Sequence, residues 1–363
     1  MNLSCGIVGL PNVGKSTLFN SLTQASVAAE NYPFCTIDPS VGIVPVPDQR
    51  LDTIASLVQP QKVIPAVVEI VDIAGLVAGA SKGEGLGNQF LSHIRETKAI
   101  LHVVRCFVED NVIHVAGKVS PKDDIDIINT ELLLADLESI EKRLLKAEKL
   151  ARAAGDKDKA RLVGLLQLIK GLLEDGKPVR AHDFGEDAPL VESLGLLSAK
   201  PVLYVANVGD DGFKNNPYLA EVEAIAKAEN AQCIAISAKL EAELAQMTDD
   251  EKEIFLAEIG FTEPCTNRLA RSAYALLGLQ TFFTAGPKEL RAWTIKKGAT
   301  APQAAGTIHT DFERGFIRAE VVHYEDFIAS GGEDGARANG KWRLEGKDYI
   351  MQDGDIVHFR FNV

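Results

Sequence analysis

An octapeptide near the start of the chain, GLPNVGKS at Gly9–Ser16, constrains the fold more than any other feature. It matches the pattern G-x-x-x-x-G-K-[ST] and lies between an apolar run, Leu3–Val8, and a segment of helical pattern, Ser16–Gln24. The glycines let successive backbone N–H groups face an anion, and the following helix directs its positive end to the same place. The order strand, loop, helix therefore predicts a phosphate-binding loop within an α/β domain.

The residues of this loop predict a site for a purine nucleoside triphosphate and Mg²⁺. Lys15 would place a positive charge at the β- and γ-phosphates, which makes it the first predicted catalytic residue, and Ser16 would offer a hydroxyl to the metal ion. The predicted nucleotide contacts of this segment are Asn12, Val13, Gly14, Lys15, Ser16 and Thr17.

A second strand, Ala66–Ile73, ends in the sequence DIAG and predicts the other side of the phosphate site. Asp72 is expected to hold Mg²⁺ through water, and the N–H of Gly75 to meet the γ-phosphate. Thr36 is expected to bring its hydroxyl to Mg²⁺ when the γ-phosphate is present, the alternative being an ordinary loop threonine. Thr36 and Gly75 complete the predicted catalytic set, and the glycine-rich stretch Gly79–Gly87 is expected to act as a mobile switch.

Two later strands, Val202–Asn207 and Cys233–Ser237, predict the side of the site that holds the base. A guanine-specific protein would carry Asn-Lys-x-Asp after the first of them, with the lysine stem over the base and the aspartate accepting two hydrogen bonds from guanine. Here Val208 replaces that lysine while Asp210 keeps the acid, so these residues leave adenine and guanine both open. The predicted contacts are Asn207, Val208, Asp210, Ser237, Ala238 and Lys239.

These strands and a further one, Ala99–Cys106, are nearly continuous apolar runs rich in β-branched residues. Such runs are typical of strands buried on both faces of a parallel sheet. Helical patterns alternate with them, which predicts a doubly wound, mostly parallel α/β domain. We expect this nucleotide-binding domain to comprise residues 1–128 and 199–278.

Residues 129–198 break the alternation and predict an inserted helical hairpin, a coiled coil. Gly155 separates a first helix from a second one at Leu162–Leu173. Between Lys142 and Arg161 there are eight basic and three acidic residues, which form either a solvated face or a contact patch for RNA or an acidic partner. The apolar seam of the first helix recurs at steps of four and three, at Leu133, Leu137, Ile140, Leu144, Ala147 and Ala151.

Residues 279–363 predict a compact α+β domain with one helix near Pro302–Phe312. Its predicted strands are Gln280–Thr284, Glu289–Thr294, Phe316–Val322 and Ile356–Phe361.

The composition of the chain limits the functions and the cellular location that we expect. The net charge of −13 argues against a protein that coats nucleic acid indiscriminately, although a local basic patch could still bind RNA. No apolar stretch approaches the length of a membrane span, and the N-terminus lacks the pattern of an export signal. The five cysteines are widely spaced, which argues against a disulfide framework or a zinc site. We therefore expect a cytoplasmic protein that does not contact membranes.

The combination of GLPNVGKST, NYPFCTIDPSVG, DIAGL, GEGLGNQFL, NVGD and ISAK resembles the Obg-related P-loop GTPases, and within them the YchF / Obg-like ATPase group, over essentially the whole chain. The resemblance implies a C-terminal TGS domain with a ubiquitin-like β-grasp fold and association with ribosomes. It also implies a preference for ATP over GTP, because the group has a degenerate guanine motif. The usual motif of the group is Asn-x-x-Glu, from which Asp210 departs.

The position that orients the attacking water as glutamine in Ras-like proteins is Leu76 here, which has no hydrogen-bonding group. Leu76 either simply packs against the switch or leaves intrinsic hydrolysis slow and in need of help from elsewhere. Similar proteins with asparagine at the position of Asn12 use a bound K⁺, so the resemblance implies K⁺ as that helper. Three alternatives stay open: a true GTPase, an RNA-binding module with a structural nucleotide, and a small-molecule kinase.

Overall fold

The computed structural model describes residues 3–24, 40–73, 86–109, 117–154 and 157–362. The strands are, in chain order, β1 (Ser4–Val8), β2 (Val41–Pro45), β3 (Val63–Ile64), β4 (Val67–Asp72), β5 (Ala99–Cys106), β6 (Val202–Val208), β7 (Gln232–Ile236), β8 (Leu279–Ala285), β9 (Leu290–Lys296), β10 (Phe316–Val322), β11 (Arg343–Glu345) and β12 (Ile356–Phe361).

The helices are, in chain order, α1 (Lys15–Gln24), α2 (Gln49–Val58), α3 (Leu86–Glu96), α4 (Pro121–Ala154), α5 (Lys157–Glu174), α6 (Ala188–Ser193), α7 (Pro217–Ala228), α8 (Ala238–Leu244), α9 (Asp249–Glu258), α10 (Cys265–Leu276), α11 (Ala301–Ile308), α12 (Thr310–Arg314), α13 (Tyr324–Ala329) and α14 (Glu333–Ala338). Two 3₁₀ turns, Val179–Ala181 and Gly185–Asp187, lie between α5 and α6.

The first sheet has the strand order β2-β4-β1-β5-β6-β7, with β1 between β4 and β5. The pairs from β4 to β7 are all parallel. At the edge, Asp72 N–H donates to Ser40 at 2.7 Å and Val46 N–H donates to Ala66 at 2.8 Å, so β2 runs antiparallel to β4. The buried, nearly all-apolar strands β1, β5 and β6 explain why the sequence predicted a central parallel sheet, and the predicted α/β class is confirmed.

The inserted hairpin consists of α4 and α5, which pack along the predicted apolar seam. Leu133, Ile140 and Ala147 of that seam are buried against Leu166 and Ile169 of α5. The first helix is longer than expected, because it begins at Pro121, eight residues before the predicted start of the insert. The chain leaves the hairpin through a buried link, in which the N–H groups of Leu197 and Ser198 donate to the carboxylate of Asp136.

The second sheet has the strand order β11-β10-β12-β8-β9-β3. Within it, β8 and β9 form an antiparallel hairpin, β12 runs parallel to β8, and β10 pairs antiparallel with both β12 and β11. The order of these five strands, with α11 packed on one face, is that of a ubiquitin-like β-grasp, as the resemblance implied. The predicted single helix at Pro302–Phe312 is two helices, because His309 is extended (φ −161°) and ends α11.

The compact units of the chain divide at other places than the sequence predicted. One unit comprises Met1–Gly42 and Glu69–Leu269, and the other Ile43–Val68 and Ala270–Val363. Residues 43–68, which we had assigned to the nucleotide-binding domain, thus belong with the C-terminal domain, and the helical insert belongs to the first unit.

Long-range contacts explain why residues 43–68 belong to the second unit. Strand β3 adds a parallel strand beside β9, with Val63 opposite Leu290. The guanidinium of Arg50 at the start of α2 forms salt bridges at 2.8 Å to both Asp48 and Asp353.

No helix in the described ranges is long and apolar enough to cross a bilayer.

Candidate nucleotide-binding site

Those predicted site residues that the structure describes lie at the carboxyl ends of adjacent parallel strands or in the loops and helix starts that follow them. The register places Ile7 of β1 opposite Asp72, and Asn207 of β6 opposite both Arg105 and Ile236. Strand order reverses next to β1, because the chain adds β4 on one side and β5 to β7 on the other. Ligands of open α/β sheets bind in the crevice at such a switch point.

The loop between β1 and α1 curls around the ammonium group of Lys15. Its Nζ donates to the carbonyl oxygens of Gly9 and Leu10, each at 3.0 Å, and the residue is only 8% exposed. Burial lowers the pKa of Lys15, while the carboxylate of Asp72 acts in the opposite direction. The loop thus concentrates positive charge and backbone donors at the start of a helix, which suits an anion such as a phosphate chain.

Gly14 is required because the loop passes close to a side chain from β6. Its φ of +96° lies in the region that favours glycine, and a Cβ atom there would come within 2.2 Å of the Asn207 Nδ2 atom. Asn12 also has a left-handed conformation, with φ +62°, which asparagine tolerates better than most residues. Val13 is buried beneath the loop, while Ser16 and Thr17 are exposed in the first turn of α1.

Asp72 lies at the end of β4, where its charge interacts with that of Lys15. Burial raises the pKa of Asp72, and the attraction to Lys15 lowers it. A carboxylate oxygen of Asp72 and the hydroxyl oxygen of Ser16 are the kind of hard donors that Mg²⁺ selects, so these residues fit that ion. Thr36, Gly75 and Leu76 lie outside the described residues, as does most of the predicted switch, although its last residue, Gly87, is in α3.

Asn207 ties the phosphate loop to the loop that follows β7. Its Nδ2 donates to the carbonyl oxygen of Val13 at 2.9 Å, and its Oδ1 accepts from the N–H of Ala238 at 3.0 Å. Both hydrogen bonds are buried. Asn207 stays a predicted nucleotide contact, and in the structure its amide braces two loops of the site.

Asp210 is held by two side chains of the Ser-Ala-Lys segment. Ser237 Oγ donates to Oδ1 of Asp210 at 3.1 Å, and Lys239 Nζ donates to Oδ2 at 2.8 Å. The carboxylate raises the pKa of Lys239, which keeps that side chain cationic. Ser237 also caps the N-terminus of α8, where its oxygen accepts from Leu240 N–H. Each oxygen of the only acid in the predicted base motif therefore has a donor within the protein.

Val208 occupies the position of the missing lysine and is 2% exposed as the last residue of β6. Its side chain is packed inside the protein and presents no flexible stem to a base. The sequence prediction that this motif departs from the guanine-reading pattern therefore has a structural counterpart in both Val208 and Asp210.

Sequence reasoning missed two side chains that shape the base side of the site. Arg105, 1% exposed at the end of β5, donates to the carbonyl oxygen of Phe107 and lies 4.6 Å from the centre of its ring. Asn216 donates from Nδ2 to the carbonyl oxygen of Cys106 at 2.9 Å and also caps α7. An arginine within an otherwise apolar strand was the one signal in the sequence that could have pointed to the first of them.

Taken together, the parallel sheet, the loop around Lys15, the acid at the end of the neighbouring strand and the Asn207 brace define a P-loop nucleotide-binding domain of the GTPase type. A family model described as 50S ribosome-binding GTPase matches residues 4–150. A second model, for the C-terminal domain of YchF GTPases and described as protein of unknown function (DUF933), matches residues 279–362.

Relatives extend the likeness to the whole chain. The protein is 57% identical to the ribosome-binding ATPase YchF of Haemophilus influenzae and 56% identical to that of Escherichia coli O157:H7, with 100% of both chains covered. It is 55% identical to the protein of the same name from Bacillus subtilis, again over 100% of each chain. The solved YchF GTPase of Schizosaccharomyces pombe superposes with a TM-score of 0.90 at 39% identity, covering 99% of this chain and 98% of that one. The chain therefore belongs to the YchF family of Obg-related P-loop proteins.

Proposed function

We propose that this protein is a Mg²⁺-dependent nucleoside triphosphatase that prefers ATP to GTP and binds the ribosome in a nucleotide-dependent manner. The observation that carries the proposal is the buried ammonium of Lys15, 3.0 Å from the Gly9 and Leu10 carbonyl oxygens at the centre of the sheet edge. A triphosphate would replace these carbonyls with phosphate oxygens. The names of the relatives, ribosome-binding ATPases, support the nucleotide and the partner.

Hydrolysis in this site would break the bond between the γ-phosphorus and the bridging oxygen while a water oxygen bonds to the same phosphorus, giving the diphosphate and phosphate. Lys15 would stabilise the negative charge on the phosphate oxygens, and the loop N–H groups would position them. Ser16 and Asp72, joined by Thr36, would hold Mg²⁺, which would neutralise negative charge on the phosphates. Gly75 would contact the γ-phosphate.

We also propose that Asn12, whose backbone is left-handed with φ +62°, helps to hold K⁺ as a second ion. Comparison of turnover in KCl and NaCl at equal ionic strength tests this part. The proposal expects faster turnover in KCl, and equal rates would remove K⁺ from the mechanism.

The preference for ATP rests on Asp210 and Val208. Guanine offers two donors that an aspartate must accept, and here both oxygens of Asp210 already accept from Ser237 and Lys239. Adenine lacks those two donors and does not require Asp210 to leave its partners. A Val208→Lys substitution should raise the affinity for GTP relative to ATP, as measured by competition with a fluorescent nucleotide. An unchanged ratio would contradict this account of base selection.

A second candidate function is RNA binding through the hairpin, and it is favoured by the exposure of its basic residues. Lys142, Arg143, Lys146 and Lys149 are all exposed near the end of α4, in a protein whose net charge is −13. Basic side chains grouped on one helix can neutralise phosphates of an RNA backbone. In this alternative the nucleotide would stabilise the fold without being turned over.

Two variants separate the candidates. Charge reversal of the four hairpin residues should abolish co-sedimentation with ribosomes and leave phosphate release unchanged. Lys15→Ala should abolish phosphate release and leave the affinity of the hairpin for RNA unchanged. Intact phosphate release in Lys15→Ala would refute the enzyme and leave the RNA-binding module.

A further inference from the structure

Helices α8 and α9, with the turn at 245–248 between them, form an open groove whose lining contains none of the predicted nucleotide contacts. It encloses about 550 Å³. Its apolar lining is Met247, Ile254 and Phe255, and three carboxylates, Glu243, Glu251 and Glu258, lie among them.

The apolar lining of the groove is not accounted for by the packing of the helix that carries it. Helix α9 is anchored through Leu256, which is 7% exposed, whereas Ile254 is 63% exposed. Phe255 is half-buried. Because Ile254 is so exposed beside a second apolar residue, covering it with a partner would remove apolar surface from water and favour binding.

The charged residues of the lining itself are all acidic. Lys239 of α8 interacts electrostatically with Glu243, but its salt bridge is with Asp210 at 2.8 Å. Glu251 is used within the protein, because it accepts from the N–H and hydroxyl of Thr248, each at 2.8 Å, in a capping box. Neither Glu243 nor Glu258 takes part in a salt bridge with any residue of the described ranges, and Lys252 of the same helix is paired with Asp249 at 3.3 Å. An apolar floor between carboxylates is complementary to a segment that is apolar on one face and cationic on its flanks.

We propose that this groove binds a basic amphipathic helix of a protein partner. Its apolar residues, spaced at i, i+3, i+4 and i+7, would cover Ile254, Phe255 and Met247, and its lysines or arginines would pair with Glu243 and Glu258. The carboxylates would repel a nucleic-acid backbone, so this surface differs in its ligand from the basic hairpin. The inference does not depend on the nucleotide preference, because no residue of the groove is among the predicted nucleotide contacts.

Methyl NMR on the full-length protein labelled at the isoleucine δ1 positions tests the proposal directly. The probe is a synthetic amidated peptide of leucine and lysine, with leucine at the four helical positions above, and its counterpart with glutamate in place of lysine. We expect the Ile254 resonance to shift in a saturable way with the lysine peptide and to stay in place with the glutamate peptide. A lysine peptide that shifts other isoleucines but leaves Ile254 unmoved would overturn the proposal.

Charge variants separate this groove from a general attraction of basic peptides to an acidic protein. Glu243→Lys/Glu258→Lys should weaken peptide binding by about fivefold or more, since close charge pairs at interfaces contribute measurable affinity. Glu192→Lys/Glu253→Lys changes the net charge equally at exposed positions outside the groove lining and should leave affinity within about twofold. Ile254→Ala should weaken binding while keeping the charge and the fold, as judged by the remaining methyl resonances. Equal losses in the two charge variants, or an Ile254→Ala variant with unchanged affinity, would contradict the proposal.

Discussion

The phosphate side and the base side of the site are built on the same sheet edge by different means. At the phosphate side the working groups are the main chain and one ammonium: a curled loop, a helix start, and Lys15 buried against the Gly9 and Leu10 carbonyls. At the base side the groups that matter are side chains, and they bind one another: Asp210 accepts hydrogen bonds from Ser237 and Lys239. Under the proposed function, the first arrangement would accept any triphosphate, whereas the second would decide which base is accepted.

This difference between the two sides predicts that substitutions fall into two groups with different effects on ATP and GTP. Changes at the phosphate side should affect ATP and GTP to the same extent, because the triphosphate is common to both. Changes at the base side should alter the ratio of the two affinities and leave the chemistry of the γ-phosphate alone. The following substitutions test this division, from the largest expected effect to the smallest.

Lys15→Ala should lower the rate of phosphate release by about 100-fold or more, since it removes the charge aimed at the phosphate oxygens. The loss should be the same with ATP and GTP. Steady-state phosphate release with both nucleotides measures it. Lys227→Ala, which removes an exposed lysine of α7, is the control and should leave turnover unchanged. A lower rate of phosphate release with only one of the two nucleotides would contradict the proposed division between the phosphate side and the base side.

Gly14→Ala should lower the affinity for both nucleotides by about tenfold or more, because the new methyl group meets the Asn207 amide and the backbone has φ +96°. Fluorescence titration with labelled ATP and GTP measures it. Gly164→Ala is the matched control, since Gly164 lies in α5 with no neighbouring atom within 4 Å of the new Cβ. The control should keep its nucleotide affinity and gain about 1 kcal/mol of stability through helix propensity.

Asn207→Ala should lower the free energy of unfolding by about 1–3 kcal/mol, because the Val13 carbonyl and the Ala238 N–H lose their buried partner. Urea denaturation of the nucleotide-free protein measures this loss. Asn20→Ala, at an exposed position of α1, should change stability by less than about 0.5 kcal/mol. A stable Asn207→Ala protein with altered base preference would show that this residue reads the base and that its bracing role is secondary.

Lys239→Met should raise the affinity for GTP relative to ATP by up to about fivefold, because it frees one oxygen of Asp210 for guanine. The effect is small since the pair is largely exposed, with side-chain exposures of 68% and 43% for Lys239 and Asp210. Competition titrations at low and high salt measure it, and the proposed preference of the wild-type protein for ATP should shrink as salt screens the pair. If the ratio of the GTP and ATP affinities did not change, Val208 alone would have to explain the base preference.

The sequence was most informative where function depends on local pattern. The glycine-lysine loop predicted the phosphate side because its spacing fixes the local backbone. Strands β5, β10 and β12 were predicted residue for residue, β5 because it is a buried and mostly apolar run, and β10 and β12 although charged side chains interrupt their apolar residues. The apolar seam of α4 predicted the partner face that Leu133 and Ile140 bury.

What the sequence could not predict depends on residues far apart in the chain. Strand β3 is two residues long and exists because Val63 pairs with Leu290, and two β-branched residues are too few to show the pattern of a strand. The hydrogen bond from Lys239 to Asp210 joins two loops that are separated by a helix and a strand. The base motif therefore showed which side chains were present but not which of them bind each other. Local patterns specify backbone shape, whereas the engagement of side chains depends on the folded structure.

The central claim is that the loop around Lys15 binds a purine triphosphate and that the base side favours adenine. Calorimetric titration of the purified protein with ATP and with GTP, at the same millimolar Mg²⁺, tests both halves in one experiment. The account predicts saturable binding of both nucleotides, tighter for ATP, and loss of both in Lys15→Ala. Absence of binding by either nucleotide to the wild-type protein, or undiminished binding to Lys15→Ala, would contradict it.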